Sequence, residues 1–231
     1  MRLTSQVINS APIVLNAENQ LTLQLRNLQI PQIENLGITQ DKFSVIDLTG
    51  NDIVELGNIP SSLISLQVLL LGNNNVSYVS DSFPSENNIR TISLINNNVT
   101  QFHTNFYHKF KSLENLALLG NPICELKNYR LFMIWLIPSL RILDFQKVKQ
   151  NDRILAIELF GQNVEDMNEV AMSYLGKQAV VLESASTDKQ LLNIARKLTD
   201  DERGALLKKL ETAESLEEIE HIENTLKSGH V

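Results

Sequence analysis

The side chains of this 231-residue sequence that could do chemistry are four histidines, one cysteine, scattered carboxylates and a series of evenly spaced asparagines. His103, His108, His221 and His230 have no cysteine, serine or carboxylate at the spacing of a nucleophile or metal-ligand motif. The chain has no glycine loop of the G-x-x-x-x-G-K or G-x-G-x-x-G kind, and no H-E-x-x-H. Neither catalysis, a metal nor a cofactor is therefore expected. The asparagines are different, because Asn51, Asn74, Asn97 and Asn121 recur at steps of 23, 23 and 24 residues. An amide both donates and accepts, so at a recurring bend it can pair backbone groups that the bend leaves open. The chemistry expected of them is structural.

The elements that hold these asparagines follow from the residues around them. The pattern L-x-x-L-x-L-x-x-N-x-L, with an apolar residue at each L, begins at Phe43, Leu66 and Ile89 and again at Leu113. Degenerate copies without the asparagine flank it: Leu23, Leu25, Leu28 and Ile30 before, Leu140, Leu143, Phe145 and Val148 after. The fourth-position residues Leu23, Ile46, Leu69, Ile92, Leu116 and Leu143 are separated by 23, 23, 23, 24 and 27 residues. Each copy supplies a short strand whose alternate residues point inward, and stacked strands share one core that no single repeat could close. The expected fold class is α/β: a leucine-rich-repeat solenoid with a curved parallel sheet, capped at both ends.

The cap at the front is expected over Leu3 to Leu15, as a short helix broken near Pro12. The cap at the back combines the apolar helical stretch before Pro138 with a last strand from Arg141 to Phe145. Cys124, Tyr129 and Trp135 are expected to pack within it. Residues 1–160 carry 12 Lys and Arg against 13 Asp and Glu, whereas residues 161–231 carry 8 against 14, so the tail holds most of the net charge of −7. We therefore expect a repeat domain over 1–160 and an acidic helical tail over 161–231. In the tail, Thr199-x-x-Glu202 and Ser215-x-x-Glu218 are capping boxes, each followed by helical apolar spacing.

An acidic chain binds nucleic acid poorly unaided, since Lys and Arg must neutralise phosphates. RNA contacts are expected to be local or shared with a basic partner. Cys124 has no disulfide partner within the chain, and the first residues show no charged segment leading into an apolar one, which together point to a reducing compartment. Leu131 to Leu140 is too short to span a bilayer.

Between the core leucines, template positions three, five and seven face the concave side. There Val45, Val68, Leu70, Ile95, Ala117 and Leu119 form an apolar centre, with Gln24, Asp47, Thr49 and Ser93 among the polar residues of the same face. An apolar centre within a polar rim is the layout of a protein interface. The alternative is that the chain's own tail covers part of it. Asp47 and Asp144 lie about four strands apart, so at about 4.8 Å per strand they form no catalytic pair.

Three segments carry a family resemblance. LQLRNLQIPQIENLG (23–37) resembles the opening repeat of the splicing A-prime family, NYRLFMIWLIPSLRILDFQKVK (128–149) resembles its C-terminal cap, and ESLEEIEHIENTLKSGHV (214–231) is similar to its closing helix. The resemblance implies a structural component of the U2 small nuclear ribonucleoprotein, nuclear and acting in pre-mRNA splicing beside other spliceosomal proteins. It implies a partner, the B-double-prime protein, whose RNA-recognition domain lays a helix in the concave face while the pair binds stem-loop IV of U2 RNA. Arg26, Lys147 and Lys149 match basic positions of the family and are the candidate phosphate contacts.

Two other readings compete. A histone-binding or phosphatase-regulating repeat protein of the acidic phosphoprotein type would end in an unbroken acidic tract, whereas this tail mixes both signs and keeps helical periodicity. A targeting subunit of an enzyme or cytoskeletal chaperone could use a similar cap. Recovery of U2 RNA in a pull-down separates the three.

Overall fold

The computed structural model describes residues 1–175 apart from residue 104. Its elements in chain order are α1 (Ser5–Ser10), β1 (Ile13–Leu15), β2 (Leu21–Gln24), a 3-10 turn (Leu36–Thr39), β3 (Val45–Asp47), β4 (Glu55–Leu56), β5 (Val68–Leu70), β6 (Tyr78–Val79), β7 (Thr91–Ser93), α2 (Asn105–Lys109), β8 (Asn115–Ala117), a second 3-10 turn (Pro122–Glu125), α3 (Tyr129–Leu136), β9 (Ile142–Leu143), β10 (Gln146–Lys147), α4 (Gln150–Phe160) and α5 (Glu169–Tyr174). Eight strands form one sheet in the order β1-β2-β3-β5-β7-β8-β9-β10, and β4 pairs with β6 in a separate two-stranded sheet. The strands from β2 to β9 run parallel, and antiparallel β1 and β10 close the edges.

The repeat spacing sets the register. Leu23 pairs with Ile46, Ile46 with Leu69, Leu69 with Ile92, Ile92 with Leu116 and Leu116 with Leu143. All six are at most 2% exposed, so the inward face is the one expected from the alternation. The longer last steps have a visible cause: α2 enters the connection before β8, and the full helix α3 enters the one before β9. A row of phenylalanines backs the sheet there, with centroid distances of 4.1 Å for Phe102–Phe106, 4.2 Å for Phe106–Phe110 and 4.8 Å for Phe83–Phe110.

The four asparagines join each repeat to the one before. Asn74 Nδ2 donates to Leu48 O and Leu71 O, both at 3.0 Å, while its Oδ1 accepts from Ile53 N at 3.1 Å. Asn97 donates to Leu71 O at 2.9 Å and accepts from Val76 N at 2.9 Å. Asn121 does the same with Leu94 O and Val99 N, and Asn51 with Leu25 O, Leu28 N and Ile30 N. The degenerate first repeat therefore needs no asparagine of its own, because Asn51 satisfies its turn.

The front cap is α1, started by Thr4 Oγ1 accepting from Val7 N, but beyond Pro12 the chain becomes strand β1, with all three side chains exposed. At the back, α3 is buried almost all round from Phe132 to Leu136, and Pro138 ends it by pushing Ile137 out of helical geometry. The expected strand from Arg141 to Phe145 is cut to Ile142–Leu143. Asp144 and Phe145 both take left-handed φ, +50° and +62°, and two such residues in sequence make the tight turn that reverses the chain into β10. Phe145 is thereby 73% exposed instead of joining the core.

The boundary expected after residue 160 falls inside continuous packing. Val164, Ala171 and Leu175 belong to the same buried cluster as the repeats, Trp135 Nε1 donates to Gly161 O at 2.9 Å, and the Phe160 ring meets Tyr174 edge-on at 5.2 Å. Gly161 holds φ at +101°, where a Cβ would come within 2.5 Å of Asp166 O, so only glycine allows the chain to turn from α4 towards α5. The compact unit containing the solenoid runs Met1–Gly176. The expected helical hairpin after Thr199 lies outside the described residues.

Candidate functional site

Parallel pairing sorts the outward residues into three rows across the concave face. The first is Thr22, Val45, Val68, Thr91, Asn115 and Ile142, and the second is Gln24, Asp47, Leu70, Ser93 and Ala117. Backbone bonds from Asn27 N to Thr49 O, Gly50 N to Gly72 O, Asn73 N to Ile95 O and Asn96 N to Leu119 O continue a third row at the strand ends.

These rows are unequally open. Val68, Leu70, Ser93 and Ile95 are half-buried and Leu119 is exposed, so they are available for contact. Val45 (3% exposed) and Ala117 (8%) lie on the same face but are covered by their neighbours. Asp47 is 3% exposed, and its carboxylate accepts from Arg26 Nε at 2.5 Å and from Thr49 N at 3.1 Å. A buried carboxylate needs such partners, so Asp47 supports the rim and offers little to a ligand. Gln24 and Thr49, both half-buried, sit at the β2–β3 end.

The three basic candidates do not form one patch. Arg26 follows β2, and its side chain is 53% exposed beside Asp47. Lys147 and Lys149, both exposed, are on and just after β10, six strand spacings away, or about 29 Å. Phe145 (73% exposed) and Ile142 (40%) add apolar surface at the β9 end. Phe145 was missed because an Asp-Phe turn lacks the glycine that normally marks a two-residue hairpin.

Cys124 and Tyr129 are tied into the C-terminal cap. Burial pushes the Cys124 thiol up, and its Sγ donates to Leu118 O at 3.0 Å, which keeps it from acting as a thiolate. Burial, with the Asp144 carboxylate alongside, pushes the Tyr129 phenol far above its usual range; the neutral hydroxyl donates to Asp144 Oδ2 at 2.8 Å. Asp144 Oδ1 in turn accepts from Leu118 N at 2.7 Å, where the equivalent N–H groups of Leu48, Leu71 and Leu94 donate to a backbone carbonyl of the next strand. His108 is exposed on α2, and its ring meets Tyr107 edge-on at 5.2 Å. His221 and His230 lie outside the described residues. Among the described residues, no three His, Cys, Asp or Glu side chains are grouped to hold a metal ion, and no helix is long and apolar enough to cross a membrane.

A capped parallel solenoid presenting a partly apolar concave sheet defines a leucine-rich-repeat protein. The leucine-rich-repeat family model matches residues 1–171. Over 233 residues, the whole of both chains, the sequence is 55% identical to the U2 small nuclear ribonucleoprotein A′ of Candida albicans. It is 34% identical to that of Schizosaccharomyces pombe, across 100% of this chain and 99% of the relative. Among solved structures, the Drosophila melanogaster SNF/U2A′ complex contains a chain 39% identical in sequence, with a TM-score of 0.65, covering 70% of this chain and 94% of that one. The chain belongs to the U2 small nuclear ribonucleoprotein A′ family.

Proposed function

We propose that this chain is a non-catalytic component of the U2 small nuclear ribonucleoprotein, acting in the nucleus in pre-mRNA splicing. Its concave face receives a helix of the RNA-recognition domain of a B-double-prime partner, and the pair holds stem-loop IV of U2 RNA. The observation that carries this reading is the apolar group of Val68 and Leu70 on β5 with Ile95 and Leu119 just past the neighbouring strands β7 and β8. A docked amphipathic helix places anchors in such a groove. The Drosophila relative is likewise found in a two-protein complex, with SNF. Lys147 and Lys149 on the last hairpin, with Arg26 at the opposite end, supply phosphate contacts that position RNA without reading its bases.

The test is calorimetric titration of Leu70→Glu and Ile95→Glu against the partner's RNA-recognition domain without RNA. Each variant would bury an unpaired charge under the docked helix, at a cost of about 3–5 kcal/mol. Affinity is expected to fall at least about a hundredfold, since about 1.4 kcal/mol corresponds to a factor of ten. Thermal melts should stay close to wild type, because neither side chain enters the core. Unchanged affinity in both variants removes the concave face as the docking site.

A further inference from the structure

A second charged surface lies away from the concave face, on the edge where the chain enters each strand. Ser44, Gln67, Arg90, Glu114 and Arg141 occupy one register there. Each residue's N–H donates to the preceding residue's carbonyl, at 2.9 Å for Gln67, 2.8 Å for Arg90, 2.8 Å for Glu114 and 2.7 Å for Arg141. Arg90 and Arg141 are therefore two strand spacings apart, about 10 Å, with Glu114 between them. That carboxylate holds one guanidinium on each oxygen: Arg90 Nη1 is 3.7 Å from Oε1 and Arg141 Nε is 3.5 Å from Oε2. The arginine side chains are nonetheless 61% and 74% exposed, so both keep donors for a ligand. Together with Lys111 they line an open groove of about 500 Å³ whose other walls include Asn88 and Ser112.

Three cations facing one carboxylate stand out in a chain of net charge −7. The groove also continues a basic surface already described. Val148 N donates to Arg141 O at 2.8 Å, so the hairpin bearing Lys147 and Lys149 runs directly beside Arg141. The lining is polar but for Ile64, and it has no enclosed apolar pocket to anchor a peptide side chain. A polymer that carries an anion on every unit and is held by charge alone suits such an edge.

We propose that Arg90, Lys111 and Arg141 form a binding track for the sugar-phosphate backbone of RNA, continuous with Lys147 and Lys149. The proposal rests on the reading of the chain as an RNA-associated component, and adds a surface separate from the concave face. The two can be tested apart. The full chain, bound to the partner's RNA-recognition domain, is titrated with stem-loop IV RNA and with a stem of unrelated sequence, by fluorescence anisotropy over a salt series. Lys111→Gln should make the slope of log affinity against log salt shallower by about 1, and the triple variant with Arg90→Gln and Arg141→Gln by about 3, with equal losses on both RNAs. Affinity for the partner domain without RNA should not change.

Unchanged affinity and salt slope in these variants would overturn the proposal. So would binding of a poly-glutamate peptide that the triple variant loses while it keeps wild-type RNA binding, since the edge would then serve an acidic protein segment. Should the triple variant fail to fold because Glu114 loses both partners, Lys111→Gln breaks neither ion pair and decides alone. If the partner domain does not bind at all, the docking reading fails, and the same salt series on the chain by itself still reports on this edge.

Discussion

Asn73, Asn74 and Asn75 are adjacent and chemically identical, yet the fold uses them in three ways. Asn73 takes φ +53° at the strand end, Asn74 is buried in the ladder, and Asn75 is exposed. The position of Asn73 is filled around the solenoid by Asn27, Gly50, Asn96 and Gly120, all at positive φ, because glycine and asparagine visit this conformation most readily. Asn74→Ala would leave Ile53 N without its partner in the interior and take one of two side-chain donors from Leu48 O and from Leu71 O, which keep Asn51 and Asn97. With one buried orphan costing about 1–3 kcal/mol and each of the two other lost hydrogen bonds about 0.5–1.5 kcal/mol, the expected loss is about 3 kcal/mol, or roughly 6–12 °C in Tm. Asn75→Ala should change stability by less than about 0.5 kcal/mol. Differential scanning calorimetry of the two variants checks the pair, and equal melting temperatures would remove the ladder as a source of stability.

At the scale of elements, the repeats were legible because their period is long and regular, whereas the caps were only partly so. Helix α3 was expected from its apolar run and its proline stop. The reach of the cap through α5 was not, because Val164, Ala171 and Leu175 are widely spaced in a polar stretch and join the core only where the chain packs back on the cap, with the Tyr174 ring against Phe160 and Phe132. Two truncations separate these parts. A chain ending at Leu175 should unfold cooperatively within a few degrees of the full-length protein. A chain ending at Gln162 loses those three residues and the Tyr174 ring, and should be destabilised on the order of 4 kcal/mol, or roughly 8–16 °C. Identical melting of both chains by circular dichroism would show that α5 adds nothing to the cap.

For the whole molecule, charge and shape act together. An acidic chain whose candidate phosphate contacts are Arg26, the last hairpin and the strand-start edge should hold RNA weakly alone. Adding the RNA-recognition domain is expected to raise both affinity and selectivity for stem-loop IV, measured by anisotropy at physiological salt. Tight, sequence-selective binding by the isolated chain would contradict this division of labour.

The order of the six repeat strands, their register and the inward face were determined by the sequence itself, through a step of about 23 residues combined with alternation within each strand. The asparagine ladder followed from the same step. Which outward residues are available to a partner was decided only by the tertiary structure. Val45 and Asp47 share strand β3 and both point outward, yet one is covered by its neighbours and the other is held by Arg26, 21 residues earlier. Arg90 and Arg141 are 51 residues apart in the chain but meet on a single carboxylate, Glu114. A repeat pattern specifies what each strand presents. Exposure and charge pairing depend on contacts between strands, and these exist only once the solenoid has closed.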